Sequence, residues 1–266
     1  MSNLLKILSI DGGGIRGIIS AIILAEIEKL TQKPISELFA LIVGTSTGGI
    51  LALGLTVPNA EGKPRYSAED LIALYENEGG RIFSRSLWHK IRAAGNLLEE
   101  KYPSDGIKGV LAEYFGETRL KEALTEVLIT SYEIEQRIPF FFKSTSAKDS
   151  LKTASRDFFM KQVARATSAA PTYFEPIRIE TDDLAKSYAL IDGGVFANNP
   201  TMCALVEAKT TFPDVNDFLV VSLGTGELIR PILYEQAREW GKAEWGQPLL
   251  SVVFSGINKT VDYQLH

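Results

Sequence analysis

Short apolar runs alternate with longer stretches of helical spacing along this chain. Leu5–Ile10 opens as an apolar run suited to a strand buried on both faces. A glycine cluster follows. Ile15 to Leu30 then reads as a helix whose Ile19, Ile22, Ile23, Ile27 and Leu30 form a wide apolar stripe. The scheme recurs in "FALIVGTSTGGILALGLT", with a strand over Ala40–Val43, a tight turn and an apolar helix from Thr47. In "SAEDLIALYENEGGRIF", Ser67 stands three residues before Asp70, the pattern of a helix start. "EVLITSYEIE" and "IPFFFKS" predict two strands joined by a short polar link. "DFFMKQVARATSAA" predicts a helix stopped by Pro171. "YALIDGGVFANNP" predicts a strand, a turn and then a helix through "MCALVEAKT". "DFLVVSLGTGE" is a further strand ending in glycines, and "QPLLSVVFSGINKTVDYQLH" is helical to the last residue. Strands alternating with helices predict an α/β fold, a sheet with helices on both faces. One segment, Ser84 to Asp105, interrupts the alternation. It mixes Leu87, Trp88, Ile91, Leu97 and Leu98 with Arg85, Lys90 and Arg92. It reads either as a lid or membrane-facing flap, or as an ordinary pair of surface helices.

Composition narrows the function classes. The 266 residues are 45% hydrophobic and 23% charged, as in an ordinary globular domain, and the formal net charge is -5. No domain-wide basic excess is present, which argues against a nucleic-acid polymer as partner. Cys203 is the single cysteine, so an internal disulfide is excluded and a reducing compartment is expected. The opening "MSNLLKILSID" runs straight into a strand and lacks the regions of a secretory signal. The apolar runs fall short of the roughly 18 residues a spanning helix needs. A cytoplasmic protein is the expectation, of one large domain or two small ones.

The glycine cluster admits three readings. Gly12, Gly14 and Gly17 match the dinucleotide pattern G-x-G-x-x-G. That pattern needs an acidic residue at the end of the second strand, where Gly44, Thr45 and Ser46 stand instead. "SIDGGG" and "SLGTGE" also look like the phosphate loops of actin-type and sugar-kinase-type ATP phosphotransferases. Those proteins carry two similar subdomains, each opening with several paired strands, whereas the strands here alternate singly with helices. The third reading starts from "GTSTG", Gly44 to Gly48, which fits the nucleophile elbow G-x-S-x-G. A strand enters, a sharp turn lifts Ser46 to the carboxyl edge of the sheet, and the field of a helix N-terminus favours developing negative charge.

A serine nucleophile needs a base and donors for the oxyanion. The chain has two histidines, His89 in the irregular segment and His266 at the end, and neither follows a strand as a triad histidine does. The remaining candidates are strand-end carboxylates. Asp192 ends an apolar strand before Gly193 and Gly194, and Asp11 is the competitor. A free aspartate titrates near about 3.9, too low for this role, and burial raises that value. The N–H groups of Gly12, Gly13 and Gly14 can turn toward one point and hold an oxyanion. Arg16 either neutralises a substrate phosphate or pins the loop through a salt bridge. Cys203 reads as a small core residue, and "PFFFK" as a buried strand.

"DGGGIRG" at 11–17, "GTSTG" at 44–48 and "DGG" at 192–194, with "ATSAAPTYFEP" and "FANNP", together resemble the patatin-like phospholipase family. The resemblance covers essentially the whole chain and implies a single domain over 1–266. It implies a three-layer α/β/α sandwich with a mostly parallel central sheet and metal-independent hydrolysis of glycerolipid esters, with no cofactor. It makes Ser46 the nucleophile and Asp192 its base partner. Gly44 and Gly48 shape the elbow, and Gly12, Gly13 and Gly14 form the oxyanion loop with Arg16 nearby. It implies a phospholipid or other glycerolipid substrate and peripheral contact with a membrane. A catalytically inactive lipid-binding module is the alternative within the same fold. Family members continue beyond the point matching "TVDYQLH", so the resemblance also implies a longer native chain.

Overall fold

The computed structural model describes residues 4–83, 104–171, 173–226 and 231–265. One sheet is built from β1 (Leu5–Ile10), β2 (Leu41–Gly44), β3 (Glu126–Glu133), β4 (Ile138–Lys143), β5 (Ile177–Glu180), β6 (Ser187–Asp192) and β7 (Phe218–Leu223). Its order is β5-β6-β3-β2-β1-β7, with β4 also paired to β3. β7, β1, β2 and β3 are parallel neighbours. β4 and β6 run against β3, and β5 runs against β6.

Helices cover both faces and give a three-layer α/β/α sandwich. Side chains alternate along a strand, so β1 sends Leu8 and Ile10 to one face and Leu5 and Ile7 to the other. The first face carries the larger core. Helices Gly17–Thr31, Thr47–Gly54, Ala68–Phe83, Ser104–Phe115 and Met160–Thr167 all supply residues to it. The second face is covered by helix Thr201–Thr211 through Ala204 and Ala208. The terminal helix, Lys242–Leu265, lies against Thr201–Thr211 and the one-turn helix Gly194–Ala197.

One feature of the topology creates the site. β4 occupies one edge of β3 from Leu128 to Glu133. β2 pairs with Glu126–Ile129 and β6 with Ser131–Glu133, so both must use the opposite edge. They approach along that edge from opposite directions and end facing each other, β2 at Gly44 and β6 at Asp192. Chain leaving the tip of β2 therefore meets the tip of β6.

Several expectations shift. Of the expected stripe, Ile27 packs against the core, but Ile19, Ile22, Ile23 and Leu30 are exposed, at 42%, 52%, 41% and 74%. The helix instead turns Gly17, Ser20, Ala21 and Leu24 inward. Close contact explains the choice: a Cβ on Gly17 would come 2.2 Å from Thr47 Oγ1, so small residues must line the approach. The helix expected to end at Pro171 ends at Thr167, and the turn beyond it brings the Ala169 carbonyl to the Asp192 N–H at 3.0 Å. After β6 the chain forms two helices, Gly194–Ala197 and Thr201–Thr211, rather than one. The proposed lid at Ser84–Asp105 lies outside the described residues, except that Ser104 opens the helix Ser104–Phe115. Among the described residues no helix is long and apolar enough to cross a membrane.

Candidate active site

Ser46 sits between β2 and helix Thr47–Gly54 with φ 55 and ψ −122. A positive φ is costly for a residue with a Cβ, and such strain persists only where surrounding contacts hold it. Here they do. The Ser46 N–H donates to Thr167 Oγ1 at 2.8 Å, and the Ser46 carbonyl accepts from the Ile50 N–H at 3.1 Å. Thr45 is anchored too, with Oγ1 donating to the Ala197 carbonyl at 2.6 Å and lying 2.7 Å from Thr130 Oγ1. The two glycines of the motif are steric necessities. A Cβ on Gly44 would come 2.2 Å from the Gly48 carbonyl oxygen, and one on Gly48 would come 2.2 Å from that of Ile10.

Asp192 ends β6 and is 4% exposed. Its Oδ1 accepts the Gly194 N–H at 2.7 Å, and the Ser46 side chain lies close enough to lower the pKa of its carboxyl. Burial pushes its pKa up to about 6, against the downward pull of the Ser46 side chain and the Gly194 N–H. A carboxylate held there is ionised near neutrality yet more basic than a free one.

The glycine loop passes beside them. The Gly12 N–H donates to the Asn198 carbonyl at 2.9 Å, so that donor is occupied. No partner is recorded among the described residues for the N–H groups of Gly13 and Gly14. Gly14 has φ 60 and starts a single 3-10 turn that leads into helix Gly17–Thr31. Arg16 pins the loop, but through carbonyls rather than a salt bridge. Its Nη1 donates to the Gly226 carbonyl at 2.8 Å and its Nε to that of Gly13 at 3.4 Å.

Asp11, the competing carboxylate, is 7% exposed, and its Oδ1 has no hydrogen-bond partner among the described residues. Burial, reinforced by the charge of Asp262, pushes its pKa up to about 8. The folded protein therefore holds this proton across a pH range in which the unfolded chain has lost it. Stability from this group is full below about pH 4 and is lost as pH rises through about 8. The melting temperature of the parent protein should fall between pH 5 and 9, and that of Asp11→Asn should fall less. Parallel curves in a thermal-shift series would remove Asp11 as the source.

A model of the family described as patatin-like phospholipase matches residues 8–205. "Patatin-like protein 4" of Arabidopsis thaliana is 35% identical over 98% of this chain and 71% of its own length. The chain belongs to the patatin-like phospholipase family. "Patatin-like protein 2" of Oryza sativa subsp. indica is 34% identical over 98% of this chain and 72% of its own. The potato protein "Probable inactive patatin-3-Kuras 1" is 33% identical over 100% of this chain and 75% of its own. The crystal structure of VipD from Legionella pneumophila matches at TM-score 0.35 and 12% identity, over 95% of this chain and 67% of that one.

The patatin-like match spans β1 to helix Thr201–Thr211 and so contains both Ser46 and Asp192. Residues that sequence patterns did not single out complete the surroundings. Thr167 lies in "ATSAAP", Asn198 in "FANNP" and Thr225 in "SLGTGE". All three segments are visible in the sequence as motifs, but their contacts with the elbow and the glycine loop are not. His89 and His266 lie outside the described residues.

Proposed function

We propose that this patatin-like protein is a metal-independent lipid acyl hydrolase of phospholipase A type. The observation that carries the reading is a strained serine at the tip of β2 facing a buried aspartate at the tip of β6. Asp192 accepts the proton of the Ser46 hydroxyl as Oγ attacks an acyl ester carbon. The N–H groups of Gly13 and Gly14 stabilise the oxyanion of the tetrahedral intermediate. Its collapse breaks the C–O ester bond, and Asp192 returns the proton to the departing alcohol or lysolipid. Water then attacks the acyl-enzyme with Asp192 again as base, which releases the fatty acid and restores Ser46. The substrate is a phospholipid or another glycerolipid, met at a membrane surface.

A fluorophosphonate probe tests the reading directly, because it reacts with an activated serine and mimics the tetrahedral intermediate. Labelling of Ser46, identified by peptide mass, is expected. The name of the potato relative motivates a second reading, a lipid-binding module without catalysis. Such a module would bind vesicles and leave the probe unreacted.

The base also sets the pH dependence. Asp192 accepts a proton only when ionised, and its pKa is raised to about 6. kcat/KM for a soluble ester should therefore be low at pH 4, rise through about pH 6 and level off above it. A rate that stays flat from pH 4 to 7 would exclude Asp192 as the base.

A further inference from the structure

We infer that Thr225 and Asn198 are positioning residues that lock the Gly12–Gly13 peptide and so aim the Gly13 N–H at the reaction centre. This inference rests on the hydrolase reading above. A peptide group is planar, with its carbonyl and N–H pointing in opposite directions. Whatever holds the Gly12 carbonyl therefore also orients the Gly13 N–H. Two side chains hold it: Thr225 Oγ1 donates to the Gly12 oxygen at 2.9 Å, and Asn198 Nδ2 donates to it at 3.4 Å. The preceding peptide is held as well, by the Gly12 N–H bond to the Asn198 backbone carbonyl.

Such a lock is needed because Gly12, Gly13 and Gly14 lack the Cβ atoms that limit peptide rotation elsewhere. A flip of the Gly12–Gly13 peptide would turn a carbonyl, rather than a donor, toward the developing anion. Thr225 opposes that flip from close range. It is 5% exposed, and a Cβ on Gly13 would fall 2.1 Å from its Oγ1, so loop and side chain are pressed together. Asn198 is braced from behind, because its Nδ2 also donates to Asn258 Oδ1 of the terminal helix at 3.2 Å. Two segments distant in sequence, around 198 and 225, thus converge on one peptide group, and a third, around 258, braces the first. This gives "FANNP" and "SLGTGE" a shared role.

The test uses Thr225→Val, which keeps the shape and removes the hydroxyl, and Thr225→Ser, which keeps the hydroxyl. With a soluble ester, Thr225→Val is expected to lower kcat about 10- to 100-fold with KM within about twofold, because the lost function acts on the transition state. Fluorophosphonate labelling of Ser46 should slow in proportion. Thr225→Ser should recover kcat to within about threefold of the parent. A Thr225→Val protein with kcat within about twofold of the parent, or a Thr225→Ser protein as impaired as Thr225→Val, overturns the inference. If Thr225→Val does not fold, Asn198→Ala decides in its place, with a kcat loss of about 10-fold expected and an unchanged kcat fatal. Ser46→Ala separates the two levels. Activity surviving in Ser46→Ala sinks the hydrolase reading, whereas a dead Ser46→Ala beside a fully active Thr225→Val sinks only the lock.

Discussion

Ser46→Ala is expected to fold like the parent and to lose ester hydrolysis by a factor on the order of 10⁴ or more. The substitution removes one hydroxyl and leaves the elbow backbone in place. Asp192→Asn should cost about 10³-fold or more, because a carboxamide fits the same space and cannot take the proton. The two effects should not add, since either change disables the same proton transfer. The elbow strain supplies an independent check. Ser46 holds φ 55 with a Cβ attached, so Ser46→Gly should raise stability by about 1 kcal/mol while remaining inactive. Urea unfolding of the three variants beside turnover of a soluble ester measures all of this. Near-parent turnover in a folded Ser46→Ala or Asp192→Asn protein would refute the dyad.

Gly48→Ala is expected to be among the most damaging single changes to the fold near the site. The added Cβ would lie 2.2 Å from the Ile10 carbonyl oxygen, 2.7 Å from its carbon and 2.8 Å from the Asp11 carbonyl oxygen. All three atoms belong to the backbone at the end of β1, so no side chain can swing aside to relieve the clash. A destabilisation on the order of 4 kcal/mol is expected, enough to lower soluble yield, with activity lost in whatever folds. Gly256 is the control. It lies in the terminal helix, where a Cβ meets nothing within 4 Å, so Gly256→Ala should stabilise by about 0.5–1 kcal/mol. Similar unfolding midpoints for the two alanine variants would show that strand β1 and the elbow helix are not in forced contact.

Much of this site was legible before any coordinates. "LIVGTSTGGILALG" announces strand, turn and helix through periodicity and small residues, and the structure places β2, Ser46 and helix Thr47–Gly54 there. Asp192 was recognisable as a carboxylate at a strand end followed by two glycines, and the structure brings it to Ser46. The glycine loop was legible only as a whole. That the Gly12 N–H is spent on Asn198, leaving Gly13 and Gly14, depends on a residue far along the chain. The inward face of helix Gly17–Thr31 was misread for a related reason. Hydrophobicity ranks its isoleucines as core, but the closeness of the Thr47 side chain admits only small residues at Gly17.

The sequence by itself determined the α/β alternation, a serine in a tight strand-to-helix turn and an aspartate at a strand end before two glycines, because these follow from local periodicity and steric rules within a few residues. Only the tertiary structure decided that β2 and β6 share one edge of β3 and meet tip to tip, which places Asp192 at Ser46. It also decided the burial that lifts Asp192 to about 6 and Asp11 to about 8. The contact from Ser46 to Thr167 spans 121 residues and that from Thr225 to Gly12 spans 213. Such partners are chosen by how the sheet closes, and desolvation depends on everything packed around a group, so neither is written in any short stretch of chain.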